Sequence, residues 1–259
     1  MARVRTRVIR PVERLDNAMC RAMPIPQISS LLNFTLADAY RFQRRGIGLR
    51  QARGETVVGV KLGFTSRAKM KQMGLDQVIC GHLTSGMNIE DGGQVSLSRF
   101  IHPRAEPELA FRLRHDLGGR VTVPEAMDAV ESVACAIELI DSRYRDFKFT
   151  LPDVVADNCS SAGFCIGSWQ RPDFDFGNLG MLMQFNGRVM GVGSSAALLG
   201  HPARTLVAAA RLFADLGMSL KSGWIVMAGS PMAAQALQPG MHVCAEVEGL
   251  GQAEFTTTD

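Results

Sequence analysis

Apolar positions recur in two different ways along this chain, and the change comes near residue 56. Between Pro11 and Met23 the residues Val12, Leu15, Met19 and Met23 fall at helical spacing, and the pattern stops at Pro24-Ile-Pro. A second helix is predicted from Thr35, whose hydroxyl can cap it with Asp38 at the third position, through Tyr40, Phe42 and Gln43 to about Ala52. Its many arginines read as a solvated face. From Thr56 onward the apolar runs are short and bounded by Gly, Ser and Pro, the mark of strands and turns. Thr56 to Phe64 predicts a buried strand, and Ser66 to Met73 a short helix with Gly74 as its stop. Val78 to Phe111 predicts strands and turns, with a tight turn at Gly92-Gly93. A helix is predicted over Pro124 to Val133, then a central strand over Ser132 to Ile140. Farther on come an apolar run at Gly163 to Gly167, a hairpin turn at Asn186-Gly187, a helix over about Pro202 to Leu216, and strands at Gly223 to Gly229 and Met241 to Val247.

Two parts follow from this pattern, a helical segment at 1–55 and a strand-rich body at 56–259, which can form one continuous domain. Strands and helices do not alternate regularly, which argues for an α+β class and against a Rossmann sheet or a β/α barrel. At 259 residues and 46% hydrophobic, the chain is long enough for a full core. A net charge of +3 and 7% aromatic residues without a stacking pattern argue against a nucleic-acid partner. No run approaches the roughly 18 apolar residues of a membrane-spanning helix. The first ten residues are basic and lack the apolar stretch of a secretory signal, so they read as a solvated tail. The six cysteines are widely spaced with no Cys-x-x-Cys, as expected of free thiols in a reducing cytoplasm.

The candidate chemistry lies in Ile101-His-Pro-Arg-Ala-Glu-Pro-Glu-Leu-Ala-Phe. Strand side chains repeat every two residues, so Glu106 and Glu108 point to one face. Glu138 follows in the apolar run Ala134-Cys-Ala-Ile-Glu-Leu-Ile. Carboxylates forced together repel, and burying one without a counter-charge is costly. A bound cation removes both problems. Three carboxylates without a His or Cys cluster suit a hard ion such as Mg²⁺ or Mn²⁺.

Gly59-Val-Lys-Leu-Gly-Phe-Thr-Ser, His102-Pro-Arg-Ala-Glu-Pro-Glu, Glu138-Leu-Ile-Asp-Ser-Arg and Val155-Ala-Asp-Asn stand in the order seen in the fumarylacetoacetate hydrolase superfamily. The chain resembles that superfamily over nearly its whole length. It is most similar to the hydratase/decarboxylase branch, whose members serve meta-cleavage of aromatic rings. The resemblance implies a mixed β-sandwich roll, a divalent metal held by Glu106, Glu108 and Glu138, and a 2-oxo acid as substrate. It further implies substrate-binding positions at Lys61, Ile79, Leu83, Asp157, Asn158 and Ser160. Lys61, in an apolar strand between Gly59 and Gly63, is the catalytic candidate; a plain salt bridge to a ligand glutamate is the other reading. Asp157-Asn158 could equally cap a turn. Asp141 and Arg143 are candidates for orienting the ligand strand.

Within the branch, Lys69-Met-Lys-Gln-Met-Gly-Leu and Ile140-Asp-Ser-Arg-Tyr-Arg-Asp-Phe-Lys-Phe resemble the decarboxylating enzymes, as does Ile79, where hydrating ones commonly carry Asp. The expected reaction is therefore decarboxylation of 2-oxohex-3-enedioate to 2-oxopent-4-enoate. The alternatives are hydration of 2-oxopent-4-enoate, or a subunit that stabilises such a hydratase. Self-association and a complex with a hydratase are implied as well. Gly163 stands where a larger, sometimes basic, residue is expected. His82, after Gly81, has one conceivable use, on a mobile lid, and otherwise none. His102 reads as structural.

Overall fold

The structure, a computed structural model, describes residues 10–66, 70 and 77–259. The helix expected over Ser66 to Met73 with its stop at Gly74 lies largely outside the described residues, as does the basic start of the chain. Helix α1 (Pro11–Cys20) ends three residues before Met23. Helix α2 (Leu36–Ala52) opens on a reciprocal cap: Asp38 N donates to Thr35 Oγ1 at 3.2 Å, and Thr35 N donates to Asp38 Oδ2 at 2.9 Å. Such a cap satisfies donors that the first helical turn leaves open, typically worth about 1 kcal/mol.

The body consists of strands β1 (Val57–Gly63), β2 (Ile79–Thr84), β3 (Asn88–Ile89), β4 (Gly93–Ser96) and β5 (Arg104–Leu113), helix α3 (Val123–Asp128), strand β6 (Val130–Ile140), helix α4 (Leu151–Ala156), strands β7 (Ser161–Ile166), β8 (Gly180–Phe185) and β9 (Arg188–Ser194), helix α5 (Ala203–Asp215), and strands β10 (Ile225–Met227), β11 (Gln235–Ala236), β12 (His242–Val247) and β13 (Gly251–Thr258). They form two sheets. The eight-stranded one runs β2-β1-β10-β5-β6-β7-β3, with β11 added to β5; the five-stranded one runs β4-β13-β12-β8-β9. Parallel and antiparallel pairs are mixed, and β5 with β6 is the longest ladder, from Arg104↔Ile140 to Leu113↔Val130.

Helix α3 is shorter than the spacing from Pro124 to Val133 predicts. Thr122 caps it and Glu125 caps back, but from Val130 the chain enters the ladder with β5. Val130 and Val133 are fully buried there, so burial and ladder hydrogen bonds outweigh a helical spacing.

One face of the larger sheet packs on the smaller sheet through Val60, Leu109, Phe111, Val133, Cys135 and Ile137, facing Val243, Ala245, Ala253 and Phe255. This is the main core of the sandwich. The other face is covered by a second cluster in which Leu15, Ile28 and Tyr40 from the helical segment meet Ile79, Tyr144, Val154 and Val155. Buried Gln43 of α2 ties these parts together, donating to Cys80 O and Val155 O at 2.9 Å each. The six cysteines are all free, five of them buried. Among the described residues no helix is long and apolar enough to cross a membrane.

Candidate metal centre

The site is built where β5 and β6 pair. Their register sets Glu106 opposite Glu138 and Glu108 opposite Ala136, so the two-residue repeat carries all three carboxylates to one face. One oxygen from each lies within 4.8 Å of the others. Glu108 and Glu138 are fully buried, and Glu106 is half-buried. Beneath them, on the same face, Leu83, Met87, Ala110, Ala136, Phe164 and Met227 form a tight apolar cluster. The inner side of the carboxylates is thus apolar.

Two groups answer this charge. Lys61 Nζ lies 3.1 Å from Glu138 Oε2, and Gly229 N donates to Glu108 Oε2 at 2.6 Å. Gly229 is at φ +89°, and a Cβ there would come within 2.1 Å of Thr65 Oγ1, so the close approach requires glycine. Among the described residues Glu108 Oε1 and Glu138 Oε1 have no hydrogen-bond partner although both are buried. Burial pushes the Glu108 carboxyl well above its usual range, and the charges of Glu138 and Glu106 push it further. Burial also raises Glu138, to about 7, with the Lys61 ammonium holding it back. Burial alone would lower the Lys61 pKa, but the carboxylates around it more than reverse this, so it stays charged. Glu108 Oε1 and Glu138 Oε1 stay without a partner among the described residues, and a divalent cation would complete them. The all-oxygen donor set fits Mg²⁺ or Mn²⁺.

A cavity of about 310 Å³ opens onto this cluster. Of the residues expected at the site, Lys61, Ile79, Glu106 and Ser160 line it. Its remaining wall is mostly apolar and aromatic, from Phe64, Ile140, Phe147, Phe149 and Val154. Ser160 Oγ and Thr65 Oγ1 are buried without hydrogen-bond partners among the described residues.

Leu83, Asp157 and Asn158 do not line this cavity. Leu83 belongs to the apolar cluster beneath the carboxylates, which places it under the site rather than against a ligand. Asp157 is locked by Arg143, which donates to it from both the backbone N (2.9 Å) and the guanidinium. Burial raises Asp157 to about 6, and Arg143 limits the rise. Asn158 acts as a splint on β2: its Oδ1 accepts from His82 N at 2.8 Å, and its Nδ2 donates to His82 O at 2.9 Å. Gly81 makes room for this, since a Cβ there would lie 2.4 Å from Asn158 O. Asn158, Cys159 and Ser160 are all left-handed, at φ 50°, 54° and 60°, a rare run for non-glycine residues. The turn therefore serves to set Ser160 at the cavity wall.

Two other expectations change, those for His82 and Gly163, while that for Asp141 agrees with the structure. His82 is not on a lid; it is buried inside β2, with Nδ1 3.2 Å from Gln43 Oε1. Gly163 pairs with Leu139 and faces Ile89, on the face opposite Glu138, so a side chain there would not reach the carboxylates. Asp141 orients the lead-in to β5 directly, its two oxygens accepting from Ile101 N and His102 N at 2.9 and 2.8 Å. His102 packs its ring 5.0 Å from that of Phe147.

Sequence reasoning missed the loop after β10, where Gly229 reaches Glu108 and Ser230, Ala233 and Ala234 line the cavity. A backbone amide leaves no side-chain signature, and small residues carry none. Phe147 stood inside a quoted motif, but nothing local showed that it faces the site.

Residues 61–258 match the family model described as fumarylacetoacetate (FAA) hydrolase C-terminal. The chain is 50% identical to a 4-oxalocrotonate decarboxylase of Pseudomonas sp over 252 residues, covering 97% of this chain and 98% of that one. It is 35% identical to a 2-hydroxyhexa-2,4-dienoate hydratase of Comamonas testosteroni, with 95% and 96% covered. Among solved structures it is similar to 4-oxalocrotonate decarboxylase from Pseudomonas putida G7 complexed with magnesium and adipate, at TM-score 0.91 and 36% identity, with 95% of each chain covered.

Proposed function

The chain belongs to the fumarylacetoacetate hydrolase family, and from that premise we propose that it is a divalent-metal-dependent carboxy-lyase. Its substrate is 4-oxalocrotonate (2-oxohex-3-enedioate), and its product is 2-oxopent-4-enoate or the enol 2-hydroxypenta-2,4-dienoate, within meta-cleavage of aromatic compounds. The observation that carries the reading is the cluster Glu106, Glu108 and Glu138, with two orphaned buried oxygens, beside Lys61 at the base of a mostly apolar cavity.

Glu106, Glu108 and Glu138 would hold the ion. A bound Mg²⁺ or Mn²⁺ supplies positive charge that polarises the C2 carbonyl of a 2-oxo acid. Lys61, buried and cationic beside Glu138, faces the same cavity and is placed to hold a proton near the C2 oxygen. When the C5–C6 bond breaks, CO₂ leaves and its electron pair passes through the alkene to the C2 oxygen. A proton then adds at that oxygen for the enol, or at C3 for the oxo acid. Ile79, Ile140, Phe149 and Val154 keep water from the reacting end. A carboxylate there loses hydration, whereas neutral CO₂ has none to lose. Ser160, with its unpartnered hydroxyl, is placed to donate to a substrate oxygen.

The 50% identical relative is named a decarboxylase, and the hydratase similarity is lower at 35%, which favours decarboxylation over hydration. The product is a hydratase's substrate, so the reading extends to a complex with a 2-oxopent-4-enoate hydratase. Self-association is supported by Val189, Met190 and Val192, exposed on β9 at the end of its sheet. Buried free thiols fit a reducing compartment such as the cytoplasm.

The test is to supply metal-free protein with Mg²⁺ or Mn²⁺ and 2-oxohex-3-enedioate and follow CO₂ release, with 2-hydroxypenta-2,4-dienoate offered in parallel. CO₂ release that requires the metal is the expected result. Hydration alone would move the chain to the other reaction of the branch. Activity that appears only when a hydratase is added would make it a dependent subunit.

A further inference from the structure

A second cavity, of about 450 Å³, lies between the helical segment and the body, and five arginines line it. They come from four separate stretches of chain: Arg21 directly after α1, Arg50 and Arg53 at the end of α2, Arg99 between β4 and β5, and Arg143 after β6. The arginines of α2 read from sequence as a solvated face, yet the Arg50 side chain is only 13% exposed. A helix C-terminus favours a cation, which accounts for Arg21, Arg50 and Arg53. It does not account for Arg99, which the body brings to the same cavity.

Carboxylates answer part of this charge. Arg53 is paired with Asp16 through both terminal nitrogens, at 2.9 and 2.8 Å, and Arg143 is paired with Asp157. Arg50 Nη1 lies 3.2 Å from Glu55 Oε2, while its Nη2 donates to the Met19 sulfur, a weak acceptor. Arg21 and Arg99 are exposed and have no carboxylate partner among the described residues. Two acids line the cavity, and both are engaged elsewhere. Glu55 holds Arg50 and the Thr84 hydroxyl, and Asp141 holds the amides of Ile101 and His102. Burial lowers the Arg50 pKa; Glu55 opposes this, and the charge of Arg143 lowers it further. Like charges are thus crowded here as they are at the metal centre, with the sign reversed.

We propose that this cavity binds a small organic anion carrying two or more negative charges, a phosphate ester or a di- or tricarboxylate, held by Arg21 and Arg99 together with the more deeply set Arg50. A guanidinium suits this task, because its planar fork offers paired donors to either kind of oxyanion. The cavity is larger than the one at the metal centre, so it admits an organic molecule as well as a bare ion. The two cavities share no lining residue. They meet only through Arg143, which clamps the turn that sets Ser160.

The experiment is a calorimetric titration of the protein, supplied with Mg²⁺, with inorganic phosphate and with succinate at two salt concentrations. At least one probe is expected to bind wild type, and more weakly at the higher salt. Replacing both exposed cations, Arg21→Gln with Arg99→Gln, should weaken that probe about tenfold or more, the loss typical of charged hydrogen bonds. Glu108→Gln, which alters the metal centre alone, should change it less than twofold. Binding of phosphate alone assigns the site to phosphate esters, and binding of succinate alone to polycarboxylates. If the double variant does not fold, Arg99→Gln by itself should weaken the probe about threefold or more. No binding of either probe by wild type, or binding that survives loss of these arginines, overturns the proposal. Binding that Glu108→Gln abolishes belongs to the metal centre and overturns it as well.

Discussion

At the scale of single residues, charge and close approach control the site. Glu108 has one oxygen accepting from Gly229 N, while the other has no hydrogen-bond partner among the described residues. Glu108→Gln is expected to lower Mn²⁺ affinity by about a hundredfold or more, since it removes a charged donor that the ion needs. The metal-free variant should melt no lower than wild type, because the substitution relieves like-charge repulsion in a buried place. Calorimetric titration and a thermal melt check the two halves. Gly229→Ala places a methyl group against Thr65 and forces a left-handed alanine, so it should cost about 1–3 kcal/mol of stability and weaken the ion's hold through Glu108. Chemical denaturation measures the first effect and Mn²⁺ titration the second. Ile79→Asp puts a carboxylate into the apolar wall, and CO₂ release by that variant should fall well below wild type. Glu106, Glu108 and Glu138 were legible in the sequence because acids in apolar strand runs contradict their surroundings. Gly229 was not, because its contribution is a backbone amide.

At the scale of elements, the ladder of β5 and β6 fixes which side chains meet, and the 157–160 turn fixes one wall. The strand period made the Glu-Pro-Glu face readable, but the register that brings Glu138 opposite Glu106 is a long-range pairing that no local pattern encodes. The same ladder shortened α3 against its own helical spacing. The sequence likewise could not tell a ligand-binding Asp157-Asn158 from a structural one, because both use the same side chains. Their partners decide: Arg143 for Asp157, and the His82 backbone for Asn158. Asn158→Ala should destabilise by about 1–3 kcal/mol by leaving the His82 amide and carbonyl unpaired, which a denaturation curve measures. His82 itself gives a pH signature. Burial holds its imidazole down at about 4, against about 6.5 for an exposed one. The unfolded chain takes up a proton at this residue as pH falls through 6.5, and the folded chain does not until about 4. Stability is therefore lost as pH falls across that window, by about 1.4 kcal/mol per unit, or roughly 3 kcal/mol in all. Melting curves between pH 7 and pH 4 should show this slope, reduced in His82→Gln.

At the scale of the whole molecule, two sheets packed face to face leave the outer side of the larger one to carry the carboxylates, and the N-terminal helices cover part of that side. The α+β class was legible from irregular alternation. The order of strands across the sheets was not, since β10, late in the chain, inserts between β1 and β5. That insertion delivers the loop carrying Gly229 to Glu108, so the centre is complete only when distant parts of the chain have assembled. Binding of the ion should then stabilise the whole fold. The most direct measurement is a calorimetric titration of metal-free protein with Mn²⁺, in wild type and in Glu108→Gln. One ion bound per chain, with a rise in melting temperature that Glu108→Gln abolishes, is the predicted result. No binding by the wild type, or undiminished binding by Glu108→Gln, would contradict a metal centre built from Glu106, Glu108 and Glu138.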